Sequence, residues 1–209
     1  MAKVVKNKDG STKFYRRCYN IAAWVFFFIF RFKIIGRENI NEGASMVCVN
    51  HSNVLDPIFV GIALGKYDQP LYVAKKELFD VPILSWLIIG LGAEPVDRDK
   101  ADITIVKASL NSLKKGKKVI IFPEGTRVAI GERGVAIPGA IKIAERANVP
   151  ILPVFLSQKK SFFSRVTVVF GESYKIEKQS EKRSHEDYEK LSNDLLETIY
   201  NLGIRFDLF

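Results

Sequence analysis

The feature that most constrains this chain is a series of short, nearly unbroken apolar segments, each separated from the next by residues with helical spacing. Ser45–Val49, Leu71–Ala74, Glu94–Val96, Lys118–Phe122, Ile151–Leu156 and Val166–Phe170 read as strands. Between and after them, Pro57–Leu64, Val81–Leu91, Ile103–Lys115, Gly139–Ala147 and Ser184–Leu202 read as helices. In Ile103–Lys115 the apolar positions Ile103, Val106, Leu110 and Leu113 fall on one helical face, and Gly116 stands where a helix ends. Strands such as Val119-Ile-Ile-Phe122 lack polar alternation, as expected of a sheet covered on both faces. The pattern predicts an α/β domain with a largely parallel or mixed sheet flanked by helices. A length of 209 residues suits one domain with a short appendage and a core that needs no disulfide or metal.

The appendage is marked by charge. Nine of the 32 basic residues but only one of the 23 acidic residues, Asp9, lie within the first 37 positions. The rest of the chain is close to neutral, with 23 basic and 22 acidic residues. Inside the basic arm, Ile21–Phe30 is a run of ten apolar residues flanked by Arg16 and Arg17 before and Arg31 and Lys33 after. As a helix it covers roughly 15 Å, about half of a hydrocarbon core, so it is too short to span one. No small-residue cleavage site follows it. The expectation is an N-terminal membrane-anchoring segment, residues 1–35, that enters one leaflet while its cationic flanks hold anionic head groups. Residues 36–209 then form the α/β domain. A buried core helix is the competing reading of the same run. No basic recognition helix or aromatic RNP pattern supports a nucleic-acid partner. Two cysteines and two histidines, Cys18, Cys48, His51 and His185, do not supply a zinc cluster.

Open α/β sheets place their ligands beyond the carboxyl ends of the strands. After Ser45–Val49 comes Asn50-His51-Ser52-Asn53-Val54-Leu55-Asp56-Pro57. A histidine at a strand end with a carboxylate five residues on requires a turn between them, and suits a base with its orienting group. By spacing alone, Asp56 is equally an N-cap ahead of Pro57 and His51 a polar loop residue. After Lys118–Ile121 comes Phe122-Pro123-Glu124-Gly125-Thr126-Arg127. Here Arg127 suits a two-pronged grip on phosphate and Glu124 an acceptor for a substrate hydroxyl. A simple Pro-Gly turn accounts for the same string. Gly92–Arg98 offers Arg98 as a second phosphate ligand or as a surface residue paired with Asp97 or Asp99, and Val149-Pro-Ile-Leu-Pro-Val154 is apolar and reads as core.

Across roughly residues 36–170 these four stretches, in this order, resemble the glycerolipid acyltransferase family, which includes the 1-acyl-glycerol-3-phosphate (lysophosphatidic acid) acyltransferases. The Asn-His-x4-Asp block matches at Asn50, His51 and Asp56, and Phe-Pro-Glu-Gly-Thr-Arg at every position from Phe122 to Arg127. The arginine of a second block matches Arg98, and Val149–Val154 matches a fourth. Asn53, Ser85 and Pro138 depart from residues common in the family, where serine, glycine and lysine are usual.

The resemblance implies transfer of a fatty acyl group from a thioester, on coenzyme A or acyl carrier protein, to the free hydroxyl of lysophosphatidic acid. His51 would act as base and Asp56 would orient it. Arg98 and Arg127 would hold the acceptor phosphate, and Glu124, Gly125 and Thr126 would position the glycerol end. It implies no cofactor or metal, the acyl carrier being a substrate. It also implies work on a phospholipid bilayer, and the basic arm points to its cytoplasmic face. Glycerol 3-phosphate or another lysophospholipid as acceptor, and a non-catalytic lipid-binding protein, remain open at this level.

Overall fold

The computed structural model of this protein describes residues 12–75, 79–96, 101–177, 179 and 183–208. The central sheet has five strands, β1 (Arg31–Ile35), β2 (Met46–Val49), β5 (Val119–Ile121), β6 (Ile151–Leu156) and β7 (Arg165–Phe170). Their spatial order is β1-β7-β6-β2-β5. A two-stranded parallel ribbon, β3 (Tyr72–Lys75) and β4 (Ala93–Val96), continues it. The join is made beside β5, where Leu71 bridges Val119. β2 runs parallel to both β5 and β6, so the carboxyl ends of these three strands lie on one edge of the sheet. β6 and β7 form an antiparallel pair, which makes the sheet mixed.

Side-chain alternation divides the core in two. Val47, Val49, Leu152, Val154, Leu156, Val166, Val168 and Phe170 face a cluster built on α1 (Lys13–Ile29) and α2 (Asp56–Leu64). Met46, Cys48, Ile151, Phe155 and Val169 face the opposite cluster, with α4 (Ala101–Lys114), α5 (Gly139–Ala147) and α6 (His185–Arg205). Every residue of β2 and β6 is buried, which is why their sequences carry no polar alternation. Each fully buried aliphatic side chain of this kind contributes roughly 1.5–3 kcal/mol. Ser184 and Asp187 close a reciprocal capping box at the start of α6, satisfying helix-end amides that would otherwise lack partners.

The N-terminal segment packs into the α/β body. Residues 31–35 are not an appendage: they form β1, paired in register with β7 from Arg31↔Arg165 to Ile35↔Val169. Nor does α1 stand apart from the domain. Thr12 caps it, and Tyr15, Cys18, Ala22, Ala23 and Phe26, spaced by a helical repeat, are buried against the body. The Tyr15 hydroxyl donates to the carbonyls of Gly65 and Asp68, and the Tyr19 hydroxyl to that of Ile62. Phe26 and Phe30 pack edge-on to Phe59, with centroids 4.8 and 5.0 Å away. Both β1 and α1 thus contact elements that follow residue 35. The apolar run serves two surfaces at once, because its other face leaves Trp24 73% and Phe28 74% exposed. Among the described residues, no helix is long and apolar enough to cross a membrane. The helix α3 (Pro82–Gly90) is only partly covered. It packs on α1, where Phe14 meets Trp86 edge to face, yet Trp86 and Ile89 are about half exposed.

Candidate active site

β2 ends at Val49, and its next residue is held as though the strand continued. The buried Asn50 side chain donates to the Leu156 carbonyl (2.9 Å) and accepts from the Leu156 amide (2.8 Å), replacing a rung of the ladder between β2 and β6. This fixes the point at which the chain leaves the sheet. His51 comes next, at the carboxyl edge.

The chain then turns, with Asn53 Oδ1 accepting from the Leu55 amide. The turn brings Asp56, first residue of α2, back over His51. His51 Nδ1 lies 2.9 Å from Asp56 Oδ2. The same oxygen accepts from the amides of Ser52 and Asn53, each at 2.7 Å. Asp56 is thus not an N-cap: its carboxylate is directed at the loop behind it, and it is wholly buried. Burial by itself raises the Asp56 carboxyl. The His51 hydrogen bond, the Lys160 ammonium and the Asn53 amide outweigh that and hold it below the usual carboxylate range. With Nδ1 engaged by an ionised carboxylate, the tautomer that donates from Nδ1 leaves Nε2 as a proton acceptor. The ring is 18% exposed and stacks on Phe122 with centroids 4.1 Å apart.

The turn after β5 supplies the other wall. Gly125, Thr126 and Arg127 are exposed and, with His51, Ser52, Val128 and Ala129, line a cleft of about 490 Å³. Gly125 adopts φ +68°, a left-handed conformation that favours glycine, and a Cβ there would collide with Ile137 Cδ1. The Val128 amide donates to the His51 carbonyl (2.8 Å), tying the two motif loops together.

Glu124, expected to receive a substrate hydroxyl, is buried, and the residues that line the cleft do not include it. Its Oε2 accepts from the His51 amide at 2.6 Å, and its Oε1 from the Gly134 amide and the Tyr200 hydroxyl of α6, the latter at 2.6 Å. Burial and the Glu124 carboxylate push the Tyr200 hydroxyl above its usual value, so it remains a donor. Glu124 therefore holds the histidine loop. Arg98 lies outside the described residues.

Two residues escaped sequence reasoning. Gln158 Oε1 accepts from the Gly131 amide and its Nε2 donates to the Glu132 carbonyl, bracing the loop that comes after Arg127. Lys160, whose side chain is 1% exposed, places Nζ 2.9 Å from Asp56 Oδ1. Both sit just past the carboxyl end of β6, the same position that singles out His51 and Glu124. The apolar Val149–Val154 block directs attention to the strand itself and away from the polar residues beyond its end.

A family model of acyltransferases matches residues 31–157, more than half of the chain. This chain belongs to the acyltransferase family. The matched span begins at β1 and ends just beyond β6, so it takes in both walls of the cleft. Among curated members of the family, the 1-acyl-sn-glycerol-3-phosphate acyltransferase of Saccharomyces cerevisiae is 30% identical over 188 residues, 82% of this chain and 60% of that protein. The Streptococcus pneumoniae protein of the same name is 33% identical over 157 residues, 72% of this chain and 54% of its own. That of Pseudomonas aeruginosa is 32% identical over 127 residues, 59% of this chain and 48% of its own. The matched region thus spans about half the length of these relatives. Among solved structures, the 1-acyl-sn-glycerophosphate (LPA) acyltransferase PlsC from Thermotoga maritima shares the fold, with a TM-score of 0.70 at 21% identity. That match covers 90% of this chain and 79% of the Thermotoga chain.

Proposed function

We propose that this acyltransferase-family chain moves a fatty acyl group from acyl-coenzyme A or acyl carrier protein to the free hydroxyl of 1-acyl-glycerol-3-phosphate, making phosphatidic acid. The observation that carries the reading is the 2.9 Å contact between His51 Nδ1 and the buried Asp56 in the wall of a cleft that Arg127 also lines. The names of the relatives support the choice of acceptor.

An alcohol is almost fully protonated at neutral pH and needs a base as it attacks. His51 Nε2 takes the hydroxyl proton as the alcohol oxygen bonds to the thioester carbonyl carbon. Asp56 orients the ring and stabilises the imidazolium. When the carbon–sulfur bond breaks, the same proton passes to the leaving thiolate. No enzyme nucleophile is acylated, and the donor carrier is a substrate rather than a cofactor. Arg127 holds the acceptor phosphate by charge-assisted hydrogen bonds, with Arg98 as its expected partner. Gly125 and Thr126 shape the glycerol end.

Both acceptor and product are bilayer lipids, and each exposed CH₂ costs about 0.8 kcal/mol in water. The exposed face of α1, with Trp24 and Phe28, docks on one leaflet. Phe162 and Phe163, 78% and 70% exposed in the turn between β6 and β7, extend that face. Phe162 stacks with Phe30, and the Phe163 amide donates to the Ile29 carbonyl at the end of α1. The cationic flanks favour the anionic cytoplasmic surface, where acyl carriers occur.

The test is thiol release from both donors against a panel of lysophosphatidic acid, glycerol 3-phosphate and lysophospholipids with larger head groups, with products identified by mass spectrometry. Release that requires lysophosphatidic acid, and that falls by several orders of magnitude in His51→Ala, is expected. Near-normal transfer by His51→Ala would refute the mechanism. Thiol release without any acceptor would make the protein a thioester hydrolase, and dependence on another acceptor would replace the substrate.

A further inference from the structure

We propose that Lys160 is a positioning residue for the reaction, acting through Asp56 to set the pH range in which His51 accepts a proton. The inference rests on the reading of His51 as the base.

Asp56 is clamped from two sides. Its Oδ2 takes His51 Nδ1 and the amides of Ser52 and Asn53; its Oδ1 faces Lys160 Nζ at 2.9 Å. The lysine is held by two hydrogen bonds and one ion pair. Nζ donates to Ser52 Oγ at 2.8 Å and to the Gln158 carbonyl at 3.3 Å, and its charge stands beside Asp56 Oδ1 as an ion pair. It therefore grips both the carboxylate that orients the imidazole and the residue next to the imidazole in the chain. The side chains of both ions are at most 1% exposed. Burying two charges is costly, and apolar residues would fill the same space at less expense. The arrangement is thus better suited to control of the histidine than to stability.

The control is electrostatic. A buried carboxylate with only His51 opposite it would place its whole charge on the imidazolium and hold the proton too firmly for release to the leaving thiolate. Lys160 draws part of that charge to Oδ1 and keeps Asp56 ionised, so that the ring is oriented without becoming too strong a base. Burial pulls Lys160 below the ordinary lysine value while Asp56 opposes the change, consistent with a pair that share one charge balance. Among the described residues, the other charged groups around His51 are Glu124, bound to its amide and to Tyr200 of α6, and Arg127, which lines the same cleft. None of these contacts the Asp56 carboxylate.

The chain contains only two histidines, so selective labelling reads His51 directly, with the exposed His185 as internal reference. In the full chain, Lys160→Met is expected to raise the midpoint of the His51 ring titration, followed by NMR, by about one pH unit, roughly a tenfold gain in proton affinity. The acid limb of kcat/KM for acyl transfer is expected to move the same way. Lys160→Arg should stay within a few tenths of a unit of the unaltered protein, and His185 should not move. In an Asp56→Asn background, Lys160→Met should no longer shift the midpoint. Should Lys160→Met fail to fold, Lys160→Gln, which keeps a donor to Oδ1 without the charge, carries the same expectation. A folded Lys160→Met or Lys160→Gln protein whose His51 midpoint coincides with that of the unaltered chain overturns the inference. The ring titration needs no substrate, so failure of the unaltered protein to acylate lysophosphatidic acid would remove the proposed reaction and leave the Lys160 result to stand by itself.

Discussion

The main-chain amide of His51 donates to Glu124 Oε2 across 2.6 Å, joining two motifs 73 residues apart. One carboxylate thus fixes the position of the histidine loop, and α6 fixes the carboxylate through Tyr200. Replacing Glu124 by Gln puts an amide NH₂ against either the His51 amide or the donors from Gly134 and Tyr200. We expect a loss of about 1–3 kcal/mol in urea unfolding, the cost of a buried group left without a partner. Turnover should fall, because the histidine loop is no longer pinned. Tyr200→Phe, which removes only one donor, should lose less of both. Full activity and unchanged unfolding in Glu124→Gln would show that the contact does not matter.

Arg127 is exposed on the cleft wall, so Arg127→Ala should leave thermal unfolding within about 0.5 kcal/mol. Its expected effect is on acceptor binding. Hydrogen bonds to a charged phosphate are worth about 1.5–3 kcal/mol, roughly a tenfold to hundredfold rise in KM for lysophosphatidic acid. Steady-state kinetics that show neither KM nor kcat altered would remove Arg127 from the phosphate site.

The depressed Asp56 carboxyl has a consequence for acid stability. A group whose folded value lies below its unfolded value, about 3.9, adds stability above that unfolded value and loses it as pH falls through the folded one. Asp56→Asn should therefore be clearly less stable than the unaltered protein at pH 7. The gap should narrow as pH falls below about 4. Denaturant titrations at a series of pH values check the sign, and a gap that widens in acid would contradict it.

The two faces of α1 separate stability from docking. Trp24, Phe28, Phe162 and Phe163 are each at least 70% exposed. Changing these four to Ser should leave unfolding nearly unaltered and sharply reduce flotation with anionic vesicles. Phe26→Ala, on the buried face, should cost about 3–5 kcal/mol. If the four-fold serine variant floats as well as the unaltered chain, the exposed face is not what binds the bilayer.

Strand and helix positions were legible because they depend on local pattern. β2 and β6 are buried on both sides, and continuous burial writes a continuous apolar run. β1 was not legible for the same reason in reverse. Arg31 and Lys33 alternate with Phe32 and Ile34 on an edge strand, and the segment adjoins an apolar helix whose flanking charges already explained those two residues. Its role appears only when Arg165–Phe170 arrives beside it from more than 130 positions away. The antiparallel pairing of β6 with β7 likewise depends on the turn between them and on the partner each strand finds.

The sequence by itself determined the chemistry at two strand ends: an imidazole with a carboxylate five residues on, and a Glu-Gly-Thr-Arg turn. Side-chain type and short spacing suffice for that, because the loop between His51 and Asp56 is too short to separate them widely. Only the tertiary structure decided how those groups are used. Glu124 turns inward because three donors from separate parts of the chain meet its carboxylate. Lys160 reaches Asp56 because β2 and β6 are neighbours and end on the same edge. Interactions between residues more than 70 positions apart depend on strand order, and strand order is fixed by packing over the whole chain rather than by any local string.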